Sequence, residues 1–294
     1  MKRCASDGFH PVPAFIYLAW MILLSAFSRD PVITALSLFG AALFCSRLQS
    51  ARESLSDLGF YSALFIIFAA ANPLFSHNGV TPLFFLNDNP VTLEAVLYGV
   101  QSACAAVAVL LWCKCLSRIF TTDKLLYLTG GLAPKAALVL SSALRMLPLI
   151  KRRHREIVCA QRAMGYYSEK GLIPRLQSHT RVYSALISRA LEEAVETGSV
   201  MKARGYGLKG RTRFSLFRFC SRDAVLCAFL MPASVVTALM CAGSLDFFFY
   251  PRITAITAQP GRLCGYAAFA LFSLSPFIFE ITEELKWKYS IYRL

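Results

Sequence analysis

The chain has 294 residues and a formal net charge of +14, yet only 16% of its residues are charged and 56% are hydrophobic. A soluble domain carries about a quarter charged residues, so this composition, with a mean hydropathy of +0.51, argues against an ordinary soluble enzyme and for the membrane. The positive charge is concentrated, with 21 of the 31 Lys and Arg between positions 114 and 222, against six acidic residues.

In chain order, Lys2 and Arg3 precede an apolar run at about 13–27. No clean small-x-small cleavage site follows it and further apolar runs do, so it reads as a retained first span and not as a cleaved leader. Runs of spanning length fall near 11–27, 31–46, 58–75, 91–113, 222–245 and 263–280; a span needs about 20 residues. A seventh run at 131–150 holds Lys135 and Arg145. Both are unfavourable at mid-bilayer, which places this run at or near the cytoplasmic interface. Six spans divide the Lys and Arg of the connections 28 against 3. By the positive-inside bias both termini and the basic block are cytoplasmic.

The expected fold is therefore an all-α integral membrane protein with about six spans and a helical cytoplasmic domain. Residues 1–113 form transmembrane helices one to four, 114–221 the cytoplasmic domain, and 222–294 helices five and six with a cytoplasmic tail. The connection at 76–90, SHNGVTPLFFLNDNP, faces outside as a turn-rich loop whose LFFL core dips into the interface.

Within the basic block, Thr121, Thr122 and Asp123 cap a short helix, and Gly130, Gly131 and Pro134 break the chain. A helix follows through LRMLPLIKRRHREIVCAQRAMG, bent at Pro148. Another runs from about His179 to Glu196, interrupted by Gly198. Val182, Leu186, Ile187, Ala190, Leu191, Ala194 and Val195 give it one apolar face.

Ala163-Met164-Gly165-Tyr166 returns forty positions later as Ala203-Arg204-Gly205-Tyr206, preceded by Arg162 and Lys202 respectively. A small-x-Gly step lets a helix end approach another surface closely. A neighbouring Arg can then reach a carboxylate, or the carbonyls at a helix C-terminus, with its five-donor fork. Two such ends suit a partner with two equivalent grooves, a dimer. The alternative is a pair of C-cap glycines on helices that face anionic lipid. Glu192, Glu193 and Glu196 have two roles open to them, pairing with Lys or Arg across the two helices or solvating the surface.

Site chemistry is otherwise sparse. His10, His77, His154 and His179 show no i,i+4 ligand spacing, and Cys113 and Cys115 belong to no paired CxxC. Gly205, Gly207 and Gly210 lack the preceding strand and following helix of a phosphate loop. Nucleic acid binding is not needed to explain a basic loop in a membrane protein. Glu94, Asp246, Glu280, Glu283 and Glu284 sit near span ends and form no buried relay.

Several ordered segments resemble a known family, the transmembrane T component of energy-coupling factor (ECF) vitamin and micronutrient importers, related to the cobalt-importer Q proteins. They are FHPVPAFIYLAW and RDPVITALSLFGA, then NPLFSHNGVT and LNDNPVTLEAVLYG, then TTDKLLYLTG and SSALRMLP, and finally ALEEAVETGSVMKARGYGLKGRTRF. The resemblance implies a non-catalytic coupling subunit of a bacterial or archaeal cell membrane. It would join a membrane-embedded substrate-binding S component to two cytoplasmic ABC ATPases, which bind the ATP, while this chain binds no cofactor directly. Coupling helices of that family end in Ala-Arg-Gly-like motifs that seat in ATPase grooves. Ala203, Arg204 and Gly205 match one such motif. Ala163, Met164 and Gly165 match the other, with Met164 in place of the family's arginine and Arg162 adjacent to it. Two readings from other classes are a self-sufficient permease and a non-transporting membrane anchor with a basic binding domain.

Overall fold

The computed structural model describes residues 10–49, 51–76, 79–86, 89–166, 171–208, 217, 221–243, 249 and 260–292. Their helices are α1 (Pro11–Phe27), α2 (Pro31–Leu48), α3 (Ala51–Phe75), α4 (Leu93–Ile119), α5 (Thr122–Leu132), α6 (Pro134–Ala163), α7 (Leu172–Ala203), α8 (Ser221–Gly243) and α9 (Pro260–Tyr292). Among the described residues the departure from an all-α chain is an antiparallel hairpin, β1 (Pro82–Leu86) and β2 (Asn89–Thr92), inside the expected outer loop. Among the described residues four helical stretches are long and apolar enough to cross a membrane: Pro31–Leu48, Arg52–Phe75, Leu93–Ile119 and Arg262–Thr282. Helix α1 is apolar too, at 17 residues.

The helix starts follow local chemistry. Pro11 and Pro31 occupy first-turn positions of α1 and α2, where a missing N–H leaves no gap in the helix ladder. His10 Nδ1 accepts the Val12 amide at 3.4 Å, and Thr92 Oγ1 accepts the Ala95 amide at 3.3 Å to open α4.

The chain divides into two compact units, residues 1–125 with 217–294, and residues 126–216. The first unit is built around α4, which packs against α1, α2 and α3. Trp112 of α4 is fully buried. Its indole N–H donates to Ser37 Oγ of α2 at 3.0 Å, and Ser37 in turn bonds Ser25 of α1. Tyr17 of α1 stands edge-on to Trp112 and donates its hydroxyl to the Phe272 carbonyl of α9 at 3.0 Å. Thr34 donates to Gln101 Oε1 at 2.9 Å, and Gln101 donates back to the Asp30 carbonyl at 3.3 Å. Apolar side chains gain little by leaving lipid for one another, so such bonds and close packing must hold the helices together.

The α3–α4 pair shows both devices. Lys114 pairs with Asp57, and Arg118 pairs with Glu53 at 3.0 Å, at one end. At the other, Asn72 donates to the Ala95 carbonyl at 2.9 Å. Gly99 sits beside it, where an added Cβ would come within 2.6 Å of the Ala69 carbonyl oxygen. Leu55, Leu58, Phe60, Ile66, Ile67 and Phe68 of α3 are exposed.

The second unit holds the last turns of α5 with α6 and α7. The run at 131–150 does not form a helix of its own: from Pro134 it continues without a break through Pro148 to Ala163. Helix α7 starts seven residues before His179, at Leu172, and Gly198 does not interrupt it. One glycine lowers helix stability by only about 1 kcal/mol, too little to end a 32-residue helix. Helices α6 and α7 run antiparallel along each other, with Tyr166 near Ser178, His154 near Tyr183 and Arg153 paired with Glu193.

The close approach at Gly99 can be tested. Gly99→Val should destabilise the protein by about 1–3 kcal/mol through overpacking, read as a lower thermal midpoint in mild detergent. Gly59→Ala, on an open face of α3 with nothing within 4 Å, should leave the midpoint unchanged or raise it. Equal midpoints for Gly99→Val and the parent would refute the contact.

Candidate functional site

The two copies of the small-x-Gly repeat form the same structure. In α6 the amide of Gly165 donates to the Arg162 carbonyl at 3.0 Å and that of Tyr166 to the Gln161 carbonyl at 3.2 Å. In α7 the amide of Gly205 donates to the Lys202 carbonyl and that of Tyr206 to the Met201 carbonyl, both at 3.0 Å. These paired bonds define a Schellman cap, which requires a left-handed residue just past the helix. Gly165 at φ 82° and Gly205 at φ 81° supply it. Met164 and Arg204, each directly before its glycine, share the cap position, with φ/ψ of −81°/1° and −80°/9°.

All seven residues singled out from the sequence therefore lie in these two caps. Arg162, Ala163, Met164 and Gly165 are exposed at the end of α6, Met164 by 64%. Ala203 and Arg204 are exposed at the end of α7, and Gly205 is partly covered. Arg162 lies two residues before Met164, and two residues turn a helix by roughly 200°. Its side chain thus leaves from a different face than the one Met164 presents. The guanidinium and ammonium groups of Arg162, Lys202 and Arg204 all sit where a helix C-terminus concentrates negative partial charge.

Beyond the shared backbone the caps differ. The Tyr166 carbonyl accepts Ser178 Oγ at 2.9 Å, and the Tyr166 ring lies under the Arg181 guanidinium at 4.2 Å, so the first cap is tied back onto α7. The second cap continues into another turn, with Gly207 at φ 102° and the Leu208 amide donating to the Gly205 carbonyl at 3.3 Å. Leu208 itself is exposed. Arg204 also lines a cavity of about 1040 Å³ between α5, α6 and α7, together with Arg145, Glu193 and Glu196.

Glu193 forms a two-contact ion pair with Arg153. Pairing between the helices was one of two roles open to it from the sequence. The sequence carries no signal that singles it out, because nothing along one helix states the register of its neighbour. Among the described residues no cluster of three or more His, Cys, Asp or Glu could hold a metal ion. Lys209, Gly210 and most of the basic stretch after them lie outside the described residues.

Apolar helices of spanning length and a separate unit of two long helices with matching caps define a membrane protein with a paired helical arm. The chain belongs to the CbiQ family of cobalt transport proteins, whose family model matches residues 8–215 and so includes both caps. Among curated proteins it is similar to the energy-coupling factor transporter transmembrane protein EcfT of Bacillus selenitireducens, 37% identical over 105 residues, 35% of this chain and 39% of that protein. The protein of the same name from Lactobacillus helveticus is 32% identical over 97 residues, 32% of this chain and 35% of that protein. That from Listeria innocua is 28% identical over 217 residues, 62% of this chain and 81% of that protein. The chain thus spans about two fifths or less of the length of the first two relatives.

The cap glycines should be replaceable only at a measurable loss. A Cβ on Gly165 would meet nothing within 4 Å, so Gly165→Ala isolates the left-handed backbone penalty, about 1–2 kcal/mol. Hydrogen exchange of the amides at 164–166 should then accelerate by roughly 5–30-fold. Exchange at the parent rate would mean that the cap does not depend on glycine.

Proposed function

We propose that this chain is the transmembrane coupling subunit of an ATP-driven ECF-type importer of a vitamin or micronutrient. On this reading about six helices span the cell membrane, with both termini and the 114–221 region in the cytoplasm. Two ABC ATPases, alike or different, seat on the two capped ends and bind the ATP. Closure of the ATPase pair moves α6 and α7, and that motion reaches a membrane-embedded S component, which carries the cargo. The basic block also meets anionic lipid headgroups, and no nucleic acid is involved.

The observation that carries this reading is the repeated cap. Two helix ends of one backbone form, each presenting an exposed residue at the cap position, suit a partner with two related grooves. A second observation adds support. Ile173, Leu176, Tyr183, Ile187, Leu191 and Val195 of α7 are all more than half exposed, an apolar area that calls for cover. A self-sufficient permease has no use for paired caps, and an anchor held by charge would be indifferent to any single arginine.

The direct test is purification of the tagged protein from its native membrane in mild detergent, with mass spectrometry of what stays bound. One or two ABC ATPases and a small hydrophobic membrane protein should come with it. Recovery of the chain alone, even after gentle crosslinking, would overturn the reading.

The docking residues make a sharper prediction. Arg204→Ala should lower ATPase recovery at least about tenfold, the loss of about 1.4 kcal/mol, and Arg162→Ala should lower it less. Full recovery with the Arg204 variant would remove that arginine from the contact.

A further inference from the structure

The Arg153–Glu193 ion pair sits at a special position in the second unit. Ala163 is the last residue of α6 and Ala203 the last of α7, so each partner lies ten residues, or about 15 Å of helix, before the end of its own helix. The pair joins equivalent positions of the forty-residue repeat and stands equally far from both caps. The stretch from the pair to each cap is thus the same length.

The chemistry of the joint suits orientation better than strength. Nη2 of Arg153 lies 3.1 Å from Glu193 Oε1, and Nη1 contacts Oε2, so the guanidinium fork meets both carboxylate oxygens. This arrangement is available only over a narrow range of relative rotation and register of the two helices. Both side chains are about three quarters covered, with exposures of 25% and 29%. The neighbouring Arg152 pairs instead within its own helix, with Glu156, at exposures of 78% and 59%.

The apolar interface between α6 and α7 is thin. Val182 is a fully buried apolar side chain of this unit, and Gln161 and Ser178 are buried polar ones. Apart from the Tyr166 contacts with Ser178 and Arg181 at the α6 end, a contact of that size does little to fix the angle between two long helices. His154, next to Arg153, adds a ring contact with Tyr183 at 5.9 Å. Ring contacts tolerate a range of angles, whereas a two-contact ion pair does not.

We propose that Arg153 and Glu193 are positioning residues that make the two capped arms one lever, so that displacement of either cap is passed to the other. The proposal rests on the coupling-subunit reading above. Neither residue contacts cargo or nucleotide; each acts through the geometry of the arm that carries the cap.

The test uses the complex purified with its ATPases. Spin labels are carried on unnatural amino acids at Cys159 and Ser199, two exposed positions at equivalent places on the two arms. The distance distribution between the labels is recorded with ADP and after trapping ATP with vanadate. The wild-type pair should give a narrow distribution that moves as a whole on trapping. Glu193→Gln, which keeps the side-chain shape, should broaden it at least about twofold, because the two-contact charge-assisted pairing is lost. Retained ATPase should be unchanged. Arg153→Glu should do the same, and the exchanged pair Arg153→Glu with Glu193→Arg should restore the narrow distribution.

A distribution in Glu193→Gln as narrow as the wild type, and moving equally on trapping, would overturn the lever. Failure of the exchanged pair to restore it would do so too. Absence of any ATPase on the wild-type protein would instead overturn the reading on which the lever rests, so the two failures are distinguishable.

Discussion

A glycine held near φ +80° ends each of the two long helices of the second unit, and the arrangement of the candidate site follows from that constraint. Any residue with a Cβ resists this conformation, so the chain turns away from the helix axis at a fixed place. The turn satisfies two carbonyls of the last helical turn through backbone bonds alone. The side chains at the cap are then free to face outward. Met164 and Arg204 have no capping duty, and both side chains are exposed.

The two units solve different stability problems. The first is held by polar contacts on Trp112 through Ser37 and Ser25, on Tyr17, and separately between Thr34 and Gln101, which together tie α1, α2, α4 and α9. Such bonds retain their value in lipid, where apolar contacts between helices add little. The second unit is a helical pair with little interior of its own. Small units of this kind bury too small a fraction of their surface to be robust alone. The exposed apolar stripe of α7 follows from the same shortage, since two helices cannot enclose a stripe as wide as the one the sequence provides.

Much of this was legible in the sequence because it depends on local rules. Apolar runs located α1, α2 and α8 within two residues and marked α3, α4 and α9, whose helices extend six to twelve residues past the apolar run at one end; the small-x-Gly repeat marked both caps. The misreadings came where a local signal was outweighed. Gly198 looked like a break, yet it sits inside a helix of 32 residues, whose remaining hydrogen bonds outweigh one poor position. The hairpin of β1 and β2 was hidden by its prolines, Pro82 and Pro90. Pro82 stands opposite Thr92 and Pro90 opposite Phe85 in a two-stranded ribbon in which every strand is an edge, and edges tolerate proline. The pairing of Glu193 with Arg153 could not be chosen over solvation, because nothing along one helix states the register of its neighbour.

The inequality of the two caps carries the last step. Their backbones agree within a few degrees, yet one presents a thioether and the other a guanidinium at the same position. Methionine adapts its shape to an apolar recess without demanding a particular partner atom. Arginine in a closed groove requires acceptors for its donors, and a groove without them would leave a buried charge unpaired. On the coupling-subunit reading, one groove lined identically in two copies of a single ATPase would have to satisfy both chemistries. Two different ATPases, one with an apolar recess and one with carboxylates or carbonyls at the matching place, meet the requirement without compromise. The tie of Tyr166 to Ser178 and Arg181 points the same way, since it braces the methionine cap and leaves the arginine cap followed by a second turn. On that reading alone, a scaffold whose geometry repeats and whose chemistry does not would suit a pair of unlike partners better than a pair of like ones.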